Sequence, residues 1–315
     1  MRTFRFGAFV ATLALALGSP LPAGQAHTTA TPPGRLAARM AYDAARMDVV
    51  LFGGLDVAGF PLGDTWTWDG TTWTERHPAT SPSSRYNPAV AYDAARKEVV
   101  LFGGSTGSGE TWVWDGLTWT KRSPAVSPSA RTHAAMTYDA ARGEIVLFGG
   151  IGADFLGDTW IWDGTTWTDR TPAASPPALR YGPNLAYDRA RKEVVLFGGT
   201  ADENDQTWVW DGAKWTKRHP AVSPHSVSDL GMVYDRARRQ VVLFGGCCPN
   251  DDTWAWDGTS WIRFSPRRSP PARFGHAMAY DVARRRAVVF GGTTGAFDAL
   301  DDTWALGTRS WREVA

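Results

Sequence analysis

Five arginines stand seven residues before a tyrosine: Arg35, Arg85, Arg131, Arg180 and Arg273, with Val227 in the sixth equivalent place. Guanidinium groups repeated at that spacing would make a positive ring suited to carboxylates if they faced a common opening. Turned the other way, each would bond backbone carbonyls of the next unit. Between these arginines and the tyrosines the chain is less regular, offering Arg39, Asn87, His133, Asn184, Asp229 and His276. Two histidines with Asp229 have the donor types for metal binding or acid–base work, and equally for a solvated polar lining.

A second group lies further along each unit. Phe60 with Asp56, Phe297 with Asp298, and Phe155 with Asp154 place aromatic rings beside carboxylates in segments of irregular length. That pairing suits a sugar or peptide ligand, and the same rings could instead fold back to cap their own loops. Cys247 and Cys248 are adjacent, and they are the only cysteines. Neighbouring α-carbons stand about 3.8 Å apart, short of the usual disulfide range, so bonding them makes a strained and relatively reducible ring. In an exported protein a vicinal disulfide is expected ahead of free thiols or a soft-metal site, acting as a flat apolar knob on the ligand face or as a loop staple.

What positions these residues is one unit written six times. Tyr-Asp recurs at Tyr42, Tyr92, Tyr138, Tyr187, Tyr234 and Tyr280, in steps of 50, 46, 49, 47 and 46 residues. Each pair leads through a polar turn to an apolar run ending in Gly-Gly, then to Thr-Trp-x-Trp-Asp-Gly and another Trp. All 17 tryptophans occupy these slots, with Leu306 in the one vacancy. A period of this length is the mark of a repeat architecture. Within a unit the pattern predicts four strands: one ending at Tyr-Asp, a continuous apolar strand such as Val99–Phe102, an alternating strand such as Thr65–Trp68, and an outer one such as Thr72–Thr74. Asp-Gly supplies the tight turn between the last two.

A lone four-stranded unit would leave its Trp and Val-Leu-Phe faces wet, so the units must stack and cover one another. Closing the stack into a ring also protects the sheet edges. Six blades follow, at about 35–79, 85–125, 131–172, 180–221, 227–266 and 273–315. The first unit begins with strand one and the last ends with strand four, so no strand exchange is expected at closure, and side-chain packing is expected to hold the seam. Turns joining strands 1 to 2 and 3 to 4 share one face. The six Asp–Arg pairs there, beginning with Asp43 and Arg46, read as turn-locking scaffold. The 2-to-3 loops, with 10, 6, 8, 7, 6 and 10 residues, share the other face and carry the individuality.

The ends and composition bound the context. Residues 1–26 run from Arg2 and Arg5 through a short apolar stretch, Phe6 to Leu17, to Ala26, which reads as a signal peptide followed by a brief segment, 27–34. About twelve residues are too few for a bilayer span, which needs roughly 20. Without Arg2 and Arg5 the 33 basic residues become 31 against 32 acidic ones. So balanced a chain has no field for nucleic acid or an anionic membrane.

Taken together, Arg273-Phe274-Gly275-His276, Tyr280-Asp281, Val288-Val289-Phe290-Gly291-Gly292, Asp302-Thr303-Trp304 and Trp311 resemble the kelch repeat. The resemblance runs from Arg35 to Trp311 and implies an all-β, six-bladed kelch-type propeller. Kelch propellers include peptide-binding modules, oxidases of the galactose oxidase type and sialic acid mutarotases, and a shared fold does not choose among them. A copper oxidase of that type needs free tyrosines and a cysteine for cross-linking. Here only Tyr86 and Tyr181 lie outside the repeat slots, and the cysteines are expected to pair. The expectation is therefore a secreted, monomeric binding module for an extracellular carbohydrate or a protein or peptide, with no catalytic residue, cofactor or metal. A sugar-modifying enzyme with its site at the channel mouth is the alternative.

Overall fold

The computed structural model describes residues 31–178, 182, 184–199, 206–225, 228–247, 250–295 and 298–315. Among them are six antiparallel sheets, each of four consecutive strands, with no helix. Blade one is typical: Arg39–Asp43 pairs with Asp48–Leu55, that strand with Pro61–Trp68, and the last with Trp73–Arg76. The innermost strands touch round a closed circle, with Arg39–Asp43 against both Ala89–Asp93 and Ala277–Asp281. This is a six-bladed β-propeller without strand exchange.

The second strands are the driest part of the molecule. Val49, Leu51, Val99, Leu101, Val195 and Val241 have essentially no exposure, as continuous apolar runs between two neighbouring sheets require. Adjacent blades interlock through tryptophan. The third Trp of every unit donates its indole N–H to the threonine immediately before the preceding unit's first Trp. Trp119 reaches Thr65 at 2.9 Å, Trp167 reaches Thr111 at 2.9 Å, and Trp73 reaches Thr303 at 2.8 Å across the seam. In blade six Leu306 takes the Trp slot and borders a cavity of about 340 Å³ with Trp254 and Phe264.

The seam corrects one expectation. Side-chain packing does join blades six and one, but so does backbone: Arg35 N–H bonds Leu300 O at 3.1 Å, Ala37 N–H bonds Gly275 O at 2.7 Å, and Gly292 N–H bonds Arg35 O at 2.8 Å. The last of these repeats at other interfaces, where Gly54, Gly104 and Gly246 donate to Arg85, Arg131 and Arg273. Closure uses backbone bonds that recur between other blades.

The turn face is scaffold. Asp43 is fully buried, accepting from the backbone N–H groups of Ala45 and Arg46 and from the Arg46 guanidinium at 2.7 Å. The same arrangement recurs at Asp93, Asp139, Asp188 and Asp235, and Asp281 binds Arg284 alike. Each turn also feeds its neighbour: the Ala45 N–H donates to the Tyr92 hydroxyl at 3.0 Å and the Ala283 N–H to that of Tyr42 at 3.1 Å.

Candidate functional site

The repeated arginines do not form a ring at the opening. Arg35, Arg85, Arg131 and Arg273 are buried, and each guanidinium bolts the two inner loops of its own blade together. Arg131 donates to Gly149 O at 3.0 Å, to Ser129 O at 3.0 Å and to both carboxylate oxygens of Asp158. Arg35 holds Gly53 O and Asp64, Arg85 holds Gly103 O and Glu110, and Arg273 holds Gly291 O and Asp302. The carbonyl reading was right in kind, although the acceptors lie in the same blade, not the next. A buried guanidinium without a carboxylate would be far costlier than one facing water, which is why each has a paired acid. Those acids were missed at the sequence level, yet they too repeat, always two residues before a unit's first Trp. Arg180 lies outside the described residues.

The loop face is shaped differently from a set of loops. In blades one and three the second and third strands continue outward as hairpins, Asp48–Leu55 with Pro61–Trp68 and Glu144–Ile151 with Phe155–Trp162. A register shift just before each second glycine lets the strands resume pairing after the blade proper. Asp56 turns the first hairpin, its Oδ1 accepting from the N–H groups of Ala58 and Phe60 at 2.9 and 2.8 Å. Asp298 closes the blade-six loop, accepting from Thr293 Oγ1 and from the N–H and hydroxyl of Thr294. Oδ1 of Asp56 and both oxygens of Asp298 are thus engaged by their own loops. Phe60 is 68% exposed and Phe155 39%, so neither ring folds back over its loop. Phe297 lies outside the described residues. So does Cys248; Cys247 is described, with its N–H bonded to Ser228 O at 2.8 Å.

At the loop-face end of the channel the backbone itself makes a hoop. The residue five before each repeat Tyr is left-handed in all six blades: Ala37, Asn87, His133, Gly182, Asp229 and Gly275, with φ between 47° and 63°. Each described link runs from one of these N–H groups to the carbonyl of its counterpart in the preceding blade: Ala37 to Gly275, Asn87 to Ala37, His133 to Asn87, Asp229 to Gly182 and Gly275 to Asp229. Asn, Asp and His are the side chains that tolerate this conformation best after glycine. Backbone geometry therefore accounts for part of the choice at Asn87, His133 and Asp229.

His133 illustrates the point. Its Nε2 lies 2.6 Å from the Asn87 amide nitrogen and its Nδ1 2.8 Å from Thr132 Oγ1. Burial, helped by the nearby Arg39 charge, lowers its pKa to about 3. The ring is neutral at pH 7, accepting from Asn87 through Nε2 and donating to Thr132 through Nδ1. Among the described residues no three His, Cys, Asp or Glu side chains gather to hold a metal, so His133, His276 and Asp229 are not brought together as a ligand set.

The channel beneath the hoop encloses about 280 Å³ and is walled largely by Ala, Met, Val and Leu from the innermost strands. Arg39, Asn184 and His276 are its polar lining toward the loop face. Asn184 donates to Leu230 O at 2.8 Å. Arg39 donates to Ala38 O at 3.2 Å and has no ion pair among the described residues. Burial pulls its pKa down against the opposing pull of Asp229, and burial pushes the Asp229 carboxyl up against Arg39. The two charges sense each other without meeting. His276 is 2% exposed, and neither ring nitrogen has a partner among the described residues. It stacks edge-on against Phe244 with centroids 5.3 Å apart. Gly231 makes its room, because a β-carbon there would stand 2.6 Å from His276 Nε2. Burial first, then the charges of Arg273 and Arg39, lower the His276 pKa to about 3.

No family model matches the chain, and no curated protein matches it in sequence. Among solved structures, one titled "Structure of YjhT" superposes with a TM-score of 0.67, covering 90% of this chain and 98% of that one at 15% identity. At that identity the likeness carries the propeller fold and nothing finer.

Proposed function

We propose that the chain is an exported, non-enzymatic binding module that takes the carboxylate-bearing end of an extracellular carbohydrate or peptide at the loop-face mouth of its channel. One observation carries the reading: Arg39 faces the channel with its charge unpaired among the described residues, in a lining where His276 leaves two buried nitrogens unused. Buried polar groups without partners are uncommon in folded proteins, and at a cavity wall they mark where a ligand supplies the missing bonds. Arg39 offers a fork for a carboxylate, and His276 adds a neutral donor and acceptor. The exposed rings of Phe60 and Phe155 stand on hairpins of the same face and give a longer ligand apolar surface to lie on. Export rests on the charge, apolar and small-residue order of residues 1–26.

The rival, a sugar-modifying enzyme at the same mouth, is less well served. General acid–base groups work best with pKa values near the operating pH, and both histidines lie far below it. An array of acidic and neutral glycans and of peptides with free or amidated C-termini tests the proposal. Retention of acidic ligands by the native protein, lost in Arg39→Gln, is the expected result. Binding that is indifferent to Arg39→Gln sinks it, and turnover of a bound sugar seen by NMR favours the rival.

A further inference from the structure

At its inner edge the turn face breaks its six-fold pattern. The residue two beyond each repeat Tyr, at the inner edge of the turn, is Ala44, Ala94, Ala140, Arg189, Arg236 and Val282. All six line the same channel, at the end opposite Arg39. The two arginines sit in adjacent blades and are exposed. Neither has an ion pair or hydrogen bond to any described residue, in contrast to the six turn arginines beside them. The nearest carboxylates, Asp188 and Asp235, are fully buried and already engaged by Arg191 and Arg238.

We propose that Arg189 and Arg236 form a second binding site, for a phosphate or carboxylate oxyanion, at the turn-face opening of the channel. Two forks side by side offer up to ten N–H donors, and a tetrahedral or planar anion is the group whose geometry they match. Like charges held next to each other without an acid are stabilised by an anion between them. The repeat tyrosines add hydroxyls round the same opening: Arg236 lines the channel together with Tyr234, Tyr280 and Tyr42, the last of these two blades away, and senses all three. Burial and the neighbouring Arg189 both lower the Arg236 pKa, as expected for a cation lacking its counter-ion. Lys192, Arg239 and Arg285 stand further out on the turns of blades four to six. They would extend the site for an anionic group carried on a polymer.

The probes are inorganic phosphate and tetragalacturonate, titrated calorimetrically into the full-length mature protein at low salt. Saturable 1:1 binding is expected, weakened about tenfold or more by Arg189→Gln or Arg236→Gln and abolished in the double variant. Every titration is run in the Arg39→Gln background, where the loop-face site at the other end of the channel cannot take the acidic probe, so this site and the loop-face site fail independently. Tighter binding of tetragalacturonate than of phosphate assigns the site to an anion displayed on a polymer; the reverse order assigns it to a free oxyanion. Absence of binding in the Arg39→Gln background, or affinity surviving in the double variant, overturns the proposal. Circular dichroism and thermal melting of the variants check the fold, which these exposed substitutions should not disturb.

Discussion

Replacing Arg131 by Met keeps most of the side-chain volume and removes the charge that bolts blade three. The native guanidinium, 1% exposed, satisfies Gly149 O, Ser129 O, the Ser129 hydroxyl and both oxygens of Asp158, whose own exposure is 24%. After substitution Asp158 keeps the Trp160 indole N–H, at 2.7 Å, its own backbone N–H and what water its partial exposure admits. Removing one partner of such a pair costs about 3 to 5 kcal/mol, and Asp158's access to water places the loss near the lower figure. The loss should also depend on pH. In the native protein burial pushes the Asp158 carboxyl up, but the Arg131 hydrogen bonds and charge outweigh it and hold the group below its ordinary 3.8. That depressed carboxylate stabilises the fold above pH 3.8 and ceases to as the pH falls through its lowered folded-state value. Without Arg131, burial dominates and the folded-state pKa rises above 3.8. The variant's penalty is then full above that raised value and shrinks as acid protonates the group. Urea unfolding followed by tryptophan fluorescence at pH 7 and at pH 4 measures both parts, and Asp158→Asn in the variant background should recover a share of the loss. A penalty under about 1 kcal/mol at pH 7, or one of equal size at both pH values, refutes the reasoning.

Two further outcomes are expected. Trp73→Phe and Trp119→Phe each remove one interblade bond to threonine, at the seam and at an internal interface, and should cost about 1 to 2 kcal/mol alike in urea unfolding; a much smaller loss for Trp73 would mean that the seam is already loose. His276 and His133 should show no titration by NMR between pH 5 and 8, and because their folded-state values of about 3 lie below the ordinary 6.5, stability should decline as the pH drops from 6.5 toward 3.

Periodic apolar strands, Gly-Gly corners and Asp-Gly turns were legible because each is a local demand repeated six times. Tyr42, Trp73 and Gly70 sit where spacing alone puts them. What spacing could not reveal is direction. Whether Arg131 faces the axis or its own blade depends on Asp158, 27 residues on, whose repetition was visible but unpaired with the arginine. The hairpins of blades one and three were counted as loops, since Gly53-Gly54 and Gly149-Gly150 read as strand ends when in fact pairing resumes at Gly54 and Gly150 and runs on to Leu55 and Ile151. Asn87, His133 and Asp229 drew notice for their chemistry, while their shared left-handed backbone has no signature in a chain where Ala37 does the same. The turn face was set aside as uniform because the Asp–Arg lock is uniform; Arg189 and Arg236 differ at a neighbouring position that carries no structural duty.

The hoop of peptide bonds at the channel mouth has a further electrical consequence. Every described link points the same way round, from one blade to the blade before it, so peptide dipoles of about 3.5 D each circulate tangentially and nearly cancel. Unlike the end of a helix, this rim confers no inherent polarity on what approaches it. The potential at the entrance is left to a few side chains, Arg39 and Asp229 foremost, and exchanging those would re-tune the preference for charge while the frame that carries them stays as it is.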